Sequence, residues 1–232
     1  ESINTINIDI GLSFNAPVSH MWLKTNPNLV VIGFEPNSFN RDVLLGLNDS
    51  STIFDTNQYK KLDFKEFINT RFFILPFALS NYTGFATFYN IKNTISSNTG
   101  NYEYDSGSSS LLKPMEMNYE ESKVKVIRLE DFLTQINWSK INFINQIKID
   151  AQGEDFKIIY GIGEYLKKIK NISYEINAPG YIGYKNYKLK NLKLFFFLIL
   201  RGFYPFKKTA SEISYKNIRY FRVKSDFYTL GE

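Results

Sequence analysis

Short apolar runs alternate with amphipathic or polar stretches along most of this chain. Residues 3–10 and 29–35 are brief and rich in Ile and Val, and read as buried strands. Between them, residues 16–25 suit a helix, with Asn15 as its cap and Pro17 in its first turn. Pro36 stops the second strand, and Asn37 or Ser38 caps a helix running to about Gly46. Residues 48–70 are polar and read as a loop with a short helix. Residues 71–80 predict a third strand, in which Pro76 requires an edge position or a bulge. A turn at 81–84 leads into a β-branched and aromatic strand at 85–89. Residues 92–110 read as a long polar loop, and such loops in compact domains are functional or disordered. Strands follow at 123–127, 142–150 and 171–176, with helices from about Glu130 and over 153–168. Residues 187–201 suit an amphipathic helix ended by Gly202, and 203–206 with 217–223 suit a closing antiparallel pair.

Strands alternating with helices predict an α/β sheet wound on both faces. In such sheets the ligand crevice lies beyond the carboxyl ends of the strands, where strand order reverses. Asp9, Glu35, Ser80, Asp150 and Glu175 all fall at predicted strand ends. Asp9 and Glu35 close the two strands of one strand–helix–strand unit. That is the grammar of a nucleoside site: a glycine turn for close backbone approach, and an acid that accepts bonds from ribose hydroxyls.

Composition narrows the choice. A chain of 232 residues, 44% hydrophobic and 17% aromatic, suits one large folded domain over 1–232. Its start at Glu1, just before the first strand, reads as a cut from a longer protein. The net charge of +5 favours acidic partners, but the lysines are scattered and form no long run, so nucleic acid is not an expected partner. There is no Cys, which excludes disulfides, thiolate metal sites and a Cys nucleophile, and suits a reducing, cytoplasmic setting. The one histidine, His20, reads as a packing or surface residue, and no zinc site is expected. The longest apolar run, residues 194–200, is too short to span a bilayer, no signal peptide is read, and no membrane insertion is expected. The glycosylation-type triplets at Asn81 and Asn137 read as chance matches in an Asn- and Ser-rich chain.

Several segments, in order, resemble the FkbM-type methyltransferases. They are Ile8-Asp9-Ile10-Gly11, Gly33-Phe34-Glu35-Pro36, Phe77-Ala78-Leu79-Ser80-Asn81 with Gly84, Ser109-Ser110-Leu111, and Val126-Ile127-Arg128-Leu129-Glu130-Asp131. The last is Ile147-Lys148-Ile149-Asp150-Ala151-Gln152-Gly153-Glu154-Asp155, followed by Glu175. The resemblance spans roughly residues 5–180. It implies a Rossmann-like class I methyltransferase fold, mostly parallel and doubly wound with an antiparallel C-terminal strand, and S-adenosyl-L-methionine as cofactor. One position departs from the family's first loop: Asn15 stands where a second glycine is usual. Asn tolerates a left-handed backbone, which preserves the turn, while the bulkier Leu12 and Phe14 are expected to narrow the approach to the methionine part of the cofactor.

The resemblance also implies roles. Glu35 accepts the ribose hydroxyls, although an acid there also suits the start of a helix. Asp9, Gly11, Ser13, Asn15 and Pro36 belong to the cofactor side, with Asp9 near the ammonium group. Ala78, Leu79 and Ser80 contact adenine. Lys148 and Asp150 share one face of a strand. They form either a buried structural ion pair, with Asp155 or Glu175, or a catalytic set in which Asp150 meets the acceptor hydroxyl and Lys148 holds it. Glu175 is an acceptor-side carboxylate or a helix cap, and Glu154 caps or salt-bridges the next helix. Ser109, Ser110 and Tyr104 lie in a stretch whose hydroxyls and aromatics suit a sugar. Oxygen ligands at Asp150 and Glu175 would suit a hard cation, but no metal is expected.

The leading expectation is therefore O-methylation of a small-molecule or glycan hydroxyl. A non-catalytic binding or interaction module of the same fold is the alternative. An NAD-dependent oxidoreductase would need a glycine-rich loop that residues 11–16 do not supply, and an RNA methyltransferase would need salt-sensitive RNA binding.

Overall fold

The computed structural model describes residues 5–48, 61–95, 102–104, 106–115, 117–176, 187–209 and 212–220. In chain order its first elements are β1 (Thr5–Ile10), α1 (Pro17–Thr25), β2 (Leu29–Phe34), α2 (Ser38–Leu44), β3 (Phe72–Leu75) and β4 (Ala78–Ser80). Then come β5 (Gly84–Ile95), β6 (Tyr102–Tyr104), β7 (Asn118–Arg128), α3 (Leu129–Leu133) and β8 (Ile144–Ile149). The last are α4 (Asp155–Tyr160), β9 (Ile169–Glu175), α5 (Tyr187–Ile199), β10 (Phe203–Lys208) and β11 (Glu212–Asn217).

The main sheet has seven strands in the order β10-β11-β9-β8-β1-β2-β3. Neighbours from β9 to β3 are parallel, and β11 runs antiparallel to β9 and β10. The chain winds outward from β1 to β3 on one side and from β8 to β9 on the other. Strand order therefore reverses between β1 and β8, the position that opens a crevice at the carboxyl ends. Ile6, Ile8 and Ile10 of β1 join Ile147, Ile149, Leu129, Ile158 and Leu194 in the larger core cluster. Leu29 and Val31 of β2 pack with Trp22, Leu23, Phe64, Phe67 and Phe72 in another. His20 meets Phe64 and Phe67 edge-on at 5.3 and 6.4 Å, a packing role as expected.

Four expectations change. The stretch 71–80 is two strands, not one: β3 is the edge of the main sheet, while β4 belongs to a second, four-stranded sheet of order β4-β7-β5-β6. Pro76 lies between them, where no ladder bond is asked of it. The polar stretch 92–110 holds the end of β5, the strand β6 and a short 3-10 turn, Ser106–Ser108. The last strand is Glu212–Asn217 rather than 217–223; Ile218–Tyr220 is a 3-10 turn, and 221–223 lie outside the described residues.

The fourth change is in the first loop. Asn15 does not cap α1: Ala16 precedes Pro17 with φ 38, without a side-chain cap bond, and Asn15 Oδ1 is buried with no hydrogen-bond partner. The left-handed non-glycine positions of this loop are Ser13 (φ 58) and Ala16, not Asn15. Leu12 and Phe14 turn inward to separate core clusters. Leu12 fits because residue 33 is glycine: a Cβ there would lie 2.6 Å from Leu12 Cδ1. Neither side chain lines the cleft at the carboxyl ends of the strands.

Candidate functional site

A cleft opens at the carboxyl ends of β1, β2 and β8, roofed by the second sheet. The main sheet contributes Gly11 and Ser13 after β1, Glu35 and Pro36 after β2, and Asp150 and Glu154 after β8. The second sheet and its connections contribute Phe77, Ala78, Leu79, Phe88, Ser109, Ser110 and Leu111. Gly11 has φ +78, and a Cβ there would lie 1.9 Å from the Asp150 carbonyl oxygen. Glycine is thus what lets the turn after β1 lie against the chain leaving β8, because a side chain meets both a hard clash and a disfavoured φ.

Glu35 is 4% exposed. Its Oε2 accepts from Ser13 N at 2.9 Å and its Oε1 from Asn37 N at 2.9 Å. Arg41 braces the same turn, donating to the carbonyls of Glu35 (2.8 Å) and Pro36 (2.7 Å). Asn37 caps α2 through Oδ1, which accepts from Asn40 N. Burial pushes the Glu35 carboxyl up to about 7, against the pull of the Asn37 and Ser13 N–H groups.

Asp9 and Lys148 are direct partners across β1 and β8. Lys148 Nζ lies 3.5 Å from Asp9 Oδ1 and 3.3 Å from Asp150 Oδ2, and donates to the Gly11 carbonyl at 3.2 Å. The ion pair is therefore with Asp9 and Asp150, not with Asp155 or Glu175. Burial works against the Lys148 charge, but Asp9 and Asp150 outweigh it and hold the ammonium above its ordinary value. Burial also pushes Asp9 up, opposed by Lys148 and by Ser19, whose hydroxyl donates to Asp9 Oδ2 at 2.6 Å. Asp9 and Lys148 form a layer behind the cleft wall and do not line it.

Asp150 does line the cleft, with its side chain 39% exposed. Gln152 Nε2 donates to Asp150 Oδ1 at 2.8 Å, from a left-handed backbone at φ 48. Burial, then the charge of Asp150, pushes Asp155 up to about 7; burial, then Asp150 and Asp155, pushes Glu175 up to about 8. Glu175 Oε2 and Asp155 Oδ1 are buried without a hydrogen-bond partner. Among the described residues no group of three or more His, Cys, Asp or Glu is placed to hold a metal ion.

Of the residues singled out from the sequence, Gly11, Ser13, Glu35, Pro36, Ala78, Leu79, Ser109, Ser110 and Asp150 meet at the cleft. Asp9, Asn15, Ser80, Lys148 and Glu175 lie outside its lining. Tyr104 is described only through its backbone, which pairs with Asn93. Ser80 instead donates to Glu154 Oε2 at 2.7 Å, and Lys157 holds Glu154 Oε1 at 2.7 Å. Glu154 thus makes its expected salt bridge and also lines the cleft, which the sequence reading missed. Ser110 ties the roof to the wall, donating to the Gln152 carbonyl at 2.9 Å. Gln152 and the apolar wall of Phe77, Phe88 and Leu111 were likewise not foreseen as site residues.

The raised carboxyls carry a consequence for stability. Glu35, Asp155 and Glu175 hold their protons more tightly folded than unfolded, so the stability they contribute is complete at low pH and lost as pH rises toward about 8. Thermal unfolding is expected to show a midpoint a few degrees higher at about pH 5.5 than at about pH 8. A midpoint that is flat or rises across that window would contradict these environments.

The Methyltransferase FkbM domain matches residues 9–200, and the chain belongs to that methyltransferase family. The doubly wound, mostly parallel sheet is the Rossmann-like fold expected of it. No curated protein sequence matches the chain. Among solved structures, the chain is similar to a precorrin-6y C5,15-methyltransferase from Geobacter metallireducens: 11% identity, TM-score 0.43, 94% of this chain and 82% of that one. It is also similar to a human methyltransferase 10 domain containing protein: 10% identity, TM-score 0.40, 94% and 73%. A fibrillarin/Nop5p complex gives 10% identity, TM-score 0.44, and 94% and 74% coverage. At such overlaps these likenesses carry no information about substrate.

Proposed function

We propose that this chain transfers a methyl group from S-adenosyl-L-methionine to a hydroxyl of a sugar or glycan. The observation that carries the first half is the buried carboxylate of Glu35 in the wall of the cleft. Each of its oxygens accepts one backbone N–H. The Asn40 side chain also hydrogen-bonds the carboxylate, so of its roughly four acceptor directions one remains for a ribose hydroxyl. The apolar wall of Phe77, Leu79 and Leu111 suits a flat base, and Gly11 and Ser13 supply backbone beside it. When bound, the cofactor supplies an electrophilic methyl on a sulfonium.

Asp150 supports the second half. It is the carboxylate of the cleft with the greatest access to solvent, and Gln152 and Lys148 fix its orientation. An alcohol is a weak nucleophile at neutral pH, so a carboxylate that takes up its proton as the new bond forms speeds the step. Holding the hydroxyl in line is the other part, and Ser109, whose hydroxyl accepts from Ile91 N at 3.0 Å, lies on the roof for that purpose. Asp150→Asn is expected to leave cofactor affinity unchanged and to lower turnover by about 100-fold or more. Full activity in that variant removes Asp150 from the chemistry. The whole reading is tested by calorimetric titration with S-adenosyl-L-methionine, followed by a screen of glycans for a methyl mass increment. An intact fold that binds no cofactor would leave only an interaction module.

A further inference from the structure

The positive charge of the chain is concentrated in one segment of the sequence once carboxylates are counted. Residues 176–210 hold seven Lys or Arg and no Asp or Glu, while the chain as a whole carries +5. Within that stretch lies α5, a helix with apolar side chains on two opposite sides. Leu194 and Leu198, both 0% exposed, face the core. On the opposite side Leu192 is 51% exposed, Phe196 54%, Ile199 37% and the following Leu200 83%. Their spacing is that of one helical face. A helix apolar on both sides has both sides covered in its working state, and here the sheet covers one. Lys193 flanks the outer stripe, and Arg201 follows it with its guanidinium 3.7 Å from the Phe197 ring.

We propose that this face docks on an anionic bilayer surface, with α5 lying in the interface and the Lys and Arg side chains reaching the headgroups. Apolar side chains on one stripe, cations beside it and an absence of carboxylates in the segment are the features that such a helix needs. No helix among the described residues is long and apolar enough to cross a membrane, so the attachment lies on the surface rather than through it. This inference stands apart from the choice of acceptor and of cofactor.

The test is co-sedimentation of the whole chain with vesicles of phosphatidylcholine alone and with about one third phosphatidylserine. Binding to the anionic vesicles is expected to exceed binding to the neutral ones by about tenfold or more and to fall with salt. Phe196→Ser combined with Leu200→Ser is expected to abolish it without lowering the melting temperature, since both side chains are already exposed, and Lys193→Glu is expected to weaken it. Absence of binding to the anionic vesicles, or undiminished binding by the double variant, overturns the proposal. So does a concentration-dependent dimer that the same double substitution dissolves, which would assign the face to a second copy of the chain.

Discussion

Lys148→Met is expected to destabilise the fold by about 3–5 kcal/mol, the range for removing one partner of a buried ion pair. The side chain of Lys148 is only 16% exposed, and that of Asp9 1%. Without the ammonium, Asp9 Oδ1 faces no cation and the Gly11 carbonyl loses a donor. A carboxylate left in that position takes up a proton instead of staying charged. The sign of the pH dependence follows. Asp9, whose folded value is already raised by burial, is raised further in the variant, so its contribution to stability is present at low pH and lost as pH rises. The deficit of the variant, read from urea unfolding, should be smaller at about pH 5 than at about pH 8. Adding Asp9→Asn should recover part of it, because the two substitutions act on one pair. A deficit below about 1 kcal/mol that ignores pH would mean the pair contributes little.

Glu35→Gln is expected to weaken cofactor binding by about 1.5–3 kcal/mol, the range for hydrogen bonds to a charged group. That is a rise of roughly 10- to 150-fold in the dissociation constant. The amide also presents an N–H₂ toward one of the backbone donors of Ser13 and Asn37, so the melting temperature must be followed alongside. In the unaltered chain, a ribose hydroxyl donates to the ionised carboxylate. Since burial pushes that group up to about 7, affinity should fall as pH drops below about 7. In Glu35→Gln the pH dependence should flatten. Affinity that is indifferent to pH in both proteins would separate Glu35 from the ligand.

The central strands were legible because their cause is local. β1, β2, β8 and β9 are Ile-, Val- or Leu-bearing runs cut off by Gly, Pro or a charged residue, and parallel strands buried on both faces need such runs. Glu35 was legible for the same reason: an acid placed directly after a buried strand and before Pro36 has few other positions to take. The second sheet was not. β5 and β7 carry exposed Phe85, Lys123 and Lys125 beside buried Phe88 and Val126, and Pro76 made two short strands read as one. The first loop misled because Asn15 is the residue type most suited to a left-handed backbone, while tertiary packing of Leu12 and Phe14 placed that strain on Ser13 and Ala16 instead. The partner of Lys148 depended on register between strands 139 residues apart in sequence, Asp9 against Lys148, which no local pattern carries. Glu154 looked like a helix-start acid; its burial comes from Ser80, 74 residues away.

The most direct measurement compares two ligands, S-adenosylhomocysteine and its analogue lacking both ribose hydroxyls, on the unaltered chain and on Glu35→Ala. If Glu35 holds the ribose, the substitution weakens the natural ligand by about tenfold or more and leaves the affinity for the dideoxy analogue unchanged. Equal losses for both ligands would show that Glu35 serves the fold of the cleft and not the sugar of the donor.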